Sequence, residues 1–297
     1  MRNLRWMKPT ALAFGICALM SACQSGGNNA NQPPTQPKVD SLEAAREAEL
    51  QKIFFSIPAP MEMASLIKEN GFKYDAAMLN STENVVKYTG EVKQAVNLGI
   101  YGADLSYASM FDQKQESMNY LAAAQRLARE MGVDGALQDD IINRLNSNQD
   151  SRDSLMRIVS EAYSDLNGYL KENNRISVSA LVIAGGWMEA LYLSTRYASS
   201  GDSELKTRIA EQKLSLDNLI NYFNKFGEAE NLKEVKSDLV SLQALFNEVQ
   251  TSAGKTTASK GADGTFTIGN SSSAVISDET LKKIETLIAQ VRSKYIS

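Results

Sequence analysis

ENLKEVKSDLVSLQALFNEVQT, residues 230–251, decides the fold class. Leu232, Val235, Leu239, Leu242, Phe246 and Val249 step by three and four, which puts all six on one stripe of an α-helix and leaves the charges on the other side. The same stepping recurs in 114–131 (Met118, Leu121, Ala124, Ala128, Met131) and 151–172 (Leu155, Ile158, Val159, Ala162, Leu166, Leu170). It returns in 203–226 (Leu205, Ile209, Leu216, Leu219, Phe223) and 278–294 (Leu281, Ile284, Leu287, Ile288, Val291). Shorter helices are predicted at 41–57, 60–70 and 137–146, with Pro60 in a first turn, where its missing N–H has no partner to lose. Gly71, Gly132 and Gly227 sit where helices should stop, and Asp150, Asp202 and Ser277 where they should start. These signals predict an all-α protein, a multi-helix bundle or an array of antiparallel helical hairpins of about ten helices, forming a single domain over residues 40–297. Residues 252–276 are the exception: their Thr and Gly content and the Asp263-Gly264 pair predict an irregular loop or a small hairpin.

Two predicted helices are not simply amphipathic. Residues 83–111 carry Gly99, Gly102, Ala103 and Ser106, and residues 177–198 carry Ala184, Gly185 and Gly186 within an apolar run. Glycine costs about 1 kcal/mol in a helix interior, so glycines at these positions predict that the two helices are central and cross there. Gly99, Tyr101 and Leu105 also align with Gly185, Trp187 and Leu191 at one offset, a short match of the kind a duplicated helical unit leaves.

The N-terminal region carries an address. Arg2, Arg5 and Lys8 precede the apolar stretch Ala11–Met20, which is too short to span a bilayer and reads as a secretory signal over residues 1–22. No second segment is expected to span. Met20-Ser21-Ala22-Cys23 resembles the lipobox of bacterial lipoproteins, although Met20 stands where Leu is usual. The resemblance implies that Cys23 becomes the lipid-bearing N-terminus, palmitoylated and anchored in a membrane. Residues 23–39, rich in Gly, Asn, Gln and Pro, then form a flexible tether. Gln24 is not the Asp associated with inner-membrane retention, so the resemblance implies the outer membrane, facing the periplasm.

Composition narrows the chemistry. The chain holds 31 basic and 35 acidic residues and no His; loss of residues 1–22 leaves 28 against 35, a net charge of −7. An acidic domain without a basic cluster argues against nucleic acid as a partner. Its only cysteines are Cys17, within the signal, and Cys23. The mature domain therefore has no imidazole or free thiol, which excludes Ser-His-Asp and Cys-His catalysis, the usual zinc sites, haem with His or Cys ligation and disulfides. No metal site or cofactor is predicted.

Isolated motif matches do not hold up. Ala253-Gly254-Lys255-Thr256 ends like a P-loop, but the first glycine would fall at Val249 inside a helix. Ser65-Leu-Ile-Lys68 and Ser203-Glu-Leu-Lys206 fit Ser-x-x-Lys without the companion motifs of penicillin-binding enzymes. Asn146, Asn148 and Asp150 have calcium-loop spacing, but Arg157 stands where a bidentate Glu is needed.

The candidate site is a ligand pocket at the expected crossing, formed by Tyr101, Asp104 and Tyr107, with Asp112, on one helix and Trp187 and Glu189 on the other. No catalytic residue is assigned. The stretches Tyr101-Gly-Ala-Asp-Leu-Ser-Tyr-Ala-Ser-Met-Phe-Asp-Gln113 and Ala184-Gly-Gly-Trp-Met-Glu-Ala-Leu-Tyr192 resemble uncharacterised all-helical envelope lipoproteins of Gram-negative bacteria, a likeness that implies fold and address but no activity. Three functions fit: a module binding an envelope protein or a small ligand, an enzyme using Asp104 and Glu189 as an acid–base pair, or a purely structural envelope component. The enzyme requires its carboxyls to converge in an open cleft, whereas the binding module requires an exposed apolar groove elsewhere.

Overall fold

The computed structural model describes Ala48, Ile57 and residues 60–136, 139–148, 151–198, 202–226, 229–252, 256–260, 266–270 and 273–297. The signal, Cys23, the tether, most of the 41–57 helix, Asp150, Gly227 and the Asp263-Gly264 turn lie outside them. Among the described residues the protein is all-α, with nine α-helices: α1 Pro60–Glu69, α2 Glu91–Met110, α3 Lys114–Glu130, α4 Asp139–Ser147, α5 Arg152–Glu172, α6 Ile176–Ala198, α7 Ser203–Asn224, α8 Glu230–Phe246 and α9 Asp278–Ile296. Residues Ala44–Ser297 make up one compact unit.

Helix boundaries follow from local chemistry. The Asp202 side chain accepts from the Leu205 N–H at the start of α7, and Ser277 accepts from Thr280 at the start of α9. Ser151 caps α5. Gly71 and Gly132, with φ of +79° and +66°, close α1 and α3 in the left-handed conformation that glycine adopts without strain. The helix expected from residue 83 begins only at Glu91: Ser81 caps a 3-10 turn over Thr82–Lys87, Tyr88 is extended, and Gly90 at φ +82° separates that turn from α2.

The 252–276 region contains two antiparallel pairings. Strand β1 (Gln250–Ser252) pairs with β4 (Ser273–Val275), and β2 (Thr256–Lys260) with β3 (Phe266–Asn270), Thr256 opposite Asn270 and Lys260 opposite Phe266.

Helices α2 and α6 form the axis of the bundle and share its most extensive contact. A Cβ on Gly99 would lie 1.9 Å from the Val182 carbonyl oxygen, and one on Gly185 would lie 2.0 Å from the Val96 carbonyl oxygen. The contact is reciprocal: each glycine receives the backbone three residues before the other, so the crossing the glycines predicted is present. By length and mean hydropathy (1.6) α6 does qualify as a membrane span, contrary to the expectation that no second segment would. Within this protein 83% of that stretch is buried by neighbouring helices, as in the core helix of a bundle.

Candidate functional site

The crossing gives α2 three distinct faces, because successive residues are about 100° apart around a helix. One carries Gly99 against α6. A second carries Asn97, Tyr101 and Asp104, and the third carries Leu98, Gly102 and Leu105.

The second face closes on a buried ionic cluster. Asp104 and Glu189 are both 0% exposed. Arg292, from α9, grips Glu189 with both arms of its guanidinium: Nε donates to Oε2 at 2.5 Å and Nη2 to Oε1 at 2.8 Å. Nη2 also donates to the Met78 carbonyl at 3.0 Å, and the guanidinium lies over the Tyr192 ring at 4.3 Å. Asp104 Oδ2 accepts from the Asn80 N–H at 3.2 Å, while no donor reaches Oδ1.

The Glu189 carboxylate lies near enough to Asp104 for its charge to act on it. Two carboxylates enclosed in one buried site resist being charged together. Burial, and then the charge of Glu189, hold the Asp104 carboxyl well above the usual carboxylate range; Arg292 and the Asn80 N–H oppose this without cancelling it. The cluster encloses one guanidinium and two carboxyl groups.

A shell of amides ties the cluster to the last turn of the chain. Asn80 Nδ2 donates to the Tyr88 hydroxyl at 3.0 Å and to Asn97 Oδ1 at 3.2 Å, and Asn97 Nδ2 donates to the Tyr295 carbonyl at 2.9 Å.

The other predicted pocket residues are distributed around this cluster. The Tyr101 hydroxyl donates to the Ser81 carbonyl at 2.9 Å. Tyr107 lies one turn further along α2: its hydroxyl accepts from the Asp75 N–H and is 2.5 Å from the Tyr197 hydroxyl, which donates to the Lys73 carbonyl. Trp187 faces elsewhere, donating from Nε1 to Gln212 Oε1 at 3.2 Å and packing on Phe246. Asp112, past the end of α2, accepts from Lys68. The structure thus joins Asp104 to Glu189, seats Tyr101 and Tyr107 on either side of Asp104, and separates Trp187 from them all. None of Tyr101, Asp104, Tyr107, Trp187 and Glu189 is among the walls of two hollows that lie beside α2.

Those hollows lie on the third face. Between α2, α3, α4, α5 and α6 is an empty volume of about 520 Å3, counted to where it opens to solvent, with Leu98, Leu105, Leu121, Ala124, Val159 and Ala162 among its walls. Tyr163 lies across one side, its hydroxyl donating to the Gly99 carbonyl at 3.3 Å; a Cβ on Gly102 would meet that hydroxyl at 2.4 Å. A second hollow of about 360 Å3 shares Leu105, Leu121 and Leu145 with the first and adds Ser109, Asp112, Lys114 and Ser117. The two make one cleft, apolar within and polar at one end.

Sequence reasoning missed both Arg292 and the cleft. A signal for the first was present: Leu281, Glu285, Ile288, Arg292 and Tyr295 step by four and three down the buried side of α9, so two charges stand where the pattern calls for apolar residues. The isolated motifs are accounted for by ordinary contacts. Ser65 donates to Glu69 instead of serving Lys68, Lys206 binds Asp278, and Asn148 closes the end of α4 by donating to the Arg144 carbonyl.

Comparison of the chain with protein-family models, with curated proteins and with solved structures found no match in any of the three.

Proposed function

We propose that the chain is a lipid-anchored binding module of the Gram-negative envelope, tethered through Cys23 to the outer membrane on its periplasmic side and holding an apolar ligand in the cleft beside α2. The observation that carries this reading is the apolar hollow walled by Leu98, Leu105, Leu121, Ala124, Val159 and Ala162. Helical interiors are close-packed and hold few voids larger than a water molecule, and small-molecule sites are concave and lined mostly by apolar side chains. The competing enzyme reading needs Asp104 and Glu189 at an opening, and both carboxyls are fully enclosed, one of them clamped by Arg292.

Binding of the neutral dye N-phenyl-1-naphthylamine tests the cleft. The full chain should enhance its fluorescence saturably, and Ala162→Phe, which places a ring in the hollow, should abolish the enhancement; an undiminished signal in that variant would sink the reading. The anchor has its own test in cells fed labelled palmitate. Cys23→Ala should lose the label, and retention of it would show that the lipid is carried elsewhere.

A further inference from the structure

The five helices that wall the cleft are not held alike. Helices α2, α3, α5 and α6 run for 20, 17, 21 and 23 residues, whereas α4 has nine. A free helix of fewer than about 12–15 residues is marginal in water, so α4 depends on what its apolar stripe packs against. That stripe, Ile141 and Leu145, lines the hollow, so it rests partly on unfilled space instead of close-packed core. The main packing neighbour of α4 is α5. A polar tie to that neighbour lies at the surface, where Arg144 pairs with Glu161, which also accepts from Arg157; solvent-exposed pairs of this kind contribute little.

The chain on both sides of α4 is anchored. Before it, Val133 is buried and its N–H donates to the Ala128 carbonyl, and a Cβ on Gly135 would lie 2.8 Å from the Tyr169 ring of α5. After it, the Ser151 side chain caps α5 while the Ser151 N–H donates to the Asn148 carbonyl. Between these anchors the cleft is covered: Leu98, Leu121, Ile141, Leu145 and Val159 are all buried, so an apolar molecule as large as an aromatic dye reaches them only when a wall swings aside.

We propose that α4 is the lid of the cleft, swinging out between Gly135 and Ser151 to admit a ligand and closing over it through Ile141 and Leu145. This rests on the cleft being a ligand site. Elements that open for ligands come from the least stable parts of a fold, and of the five walls α4 is the shortest and the least supported.

The test locks α4 to α5. In a full chain carrying Cys17→Ala and Cys23→Ala, which remove its only thiols, Arg144→Cys and Glu161→Cys are introduced and joined with bismaleimidoethane after the protein is loaded with N-phenyl-1-naphthylamine. Release of the dye on dilution should be at least about tenfold slower than from the same protein before crosslinking. Joining Lys206→Cys on α7 to Asp278→Cys on α9, a pair in contact outside the cleft walls, should leave release unchanged. In the wild type the amides of α4 should exchange with deuterium faster than those of α2, and bound dye should slow them. Release as fast after the α4–α5 crosslink as before, equal slowing by the control crosslink, or α4 exchange that ignores the dye overturns the lid while the dye still reports a ligand cleft. Failure of the dye to bind the wild type overturns the cleft reading itself.

Discussion

Asp104 and Leu105 are neighbours in sequence, yet they face environments of opposite kinds. Asp104 enters a closed ionic cluster with Glu189 and Arg292, and Leu105 lines a hollow. Hydrophobicity alone would predict the reverse arrangement. The difference lies in what the rest of the chain delivers to each face of α2. On the polar side α9 brings Arg292 to Glu189, and the loop before α2 brings Asn80 to one oxygen of Asp104. On the apolar side residues of α3, α4, α5 and α6 wall a hollow against Leu98, Gly102 and Leu105. A buried charge is tolerated where its partners are fixed, and an apolar surface is left open where a ligand can fill it.

The largest expected effect lies on the closed side. Arg292→Met leaves the Glu189 carboxylate fully buried with no cation, and removing one partner of such a pair typically costs about 3–5 kcal/mol. Urea unfolding should show a loss of that size, and adding Glu189→Gln should recover much of it. If Arg292→Met costs under about 1 kcal/mol, the cluster is not closed and the contrast between the two faces disappears.

A pH series sharpens the comparison next. The folded-state pKa of Asp104 is raised above that of the unfolded chain, so the stability supplied by its proton is complete below about pH 3.9, the unfolded value. That stability is lost as pH rises through the raised folded value. Asp104→Asn keeps the size and shape of the side chain and has no proton to lose. Relative to this variant the wild type should weaken by about 1.4 kcal/mol for each pH unit within that window. Thermal melts of both proteins from pH 4 upward would measure it, and parallel curves would mean that Asp104 is already ionised in the folded protein.

Much of the frame was legible in the sequence, because apolar stepping and capping residues act locally. The stripe expected over 203–226 is a helix over Ser203–Asn224, and that expected over 278–294 runs over Asp278–Ile296. The crossing was legible for a similar reason, since glycines inside an apolar helix have little use except close approach. The site was legible only in part. Trp187 and Glu189 are two residues apart, about 200° around a helix, so helix geometry alone forbids them one wall. Arg292 comes from the far end of the chain, and nothing local to Asp104 or Glu189 announces it. The cleft left no trace at all: Leu98, Leu105 and Leu121 look like any core leucines, and whether their neighbours fill the space between them depends on how five helices approach one another.

The smallest expected effect lies on the open side. In a filled core Ala→Phe forces neighbours off their preferred rotamers and typically costs about 1–3 kcal/mol or more. At Ala162 the added ring enters space that is already empty, bounded by Leu98, Leu121 and Val159. The apolar area it buries offsets the side-chain entropy it loses, so the stability change should stay within about 1 kcal/mol of zero. The same substitution at Ala184, which is 0% exposed at the heart of α6, provides the contrast and should destabilise strongly. Urea midpoints for the two variants measure how far the faces of α2 differ. Equal losses would mean that the hollow closes over its own leucines when no ligand is bound, and that only the charged face of the helix has a fixed structure.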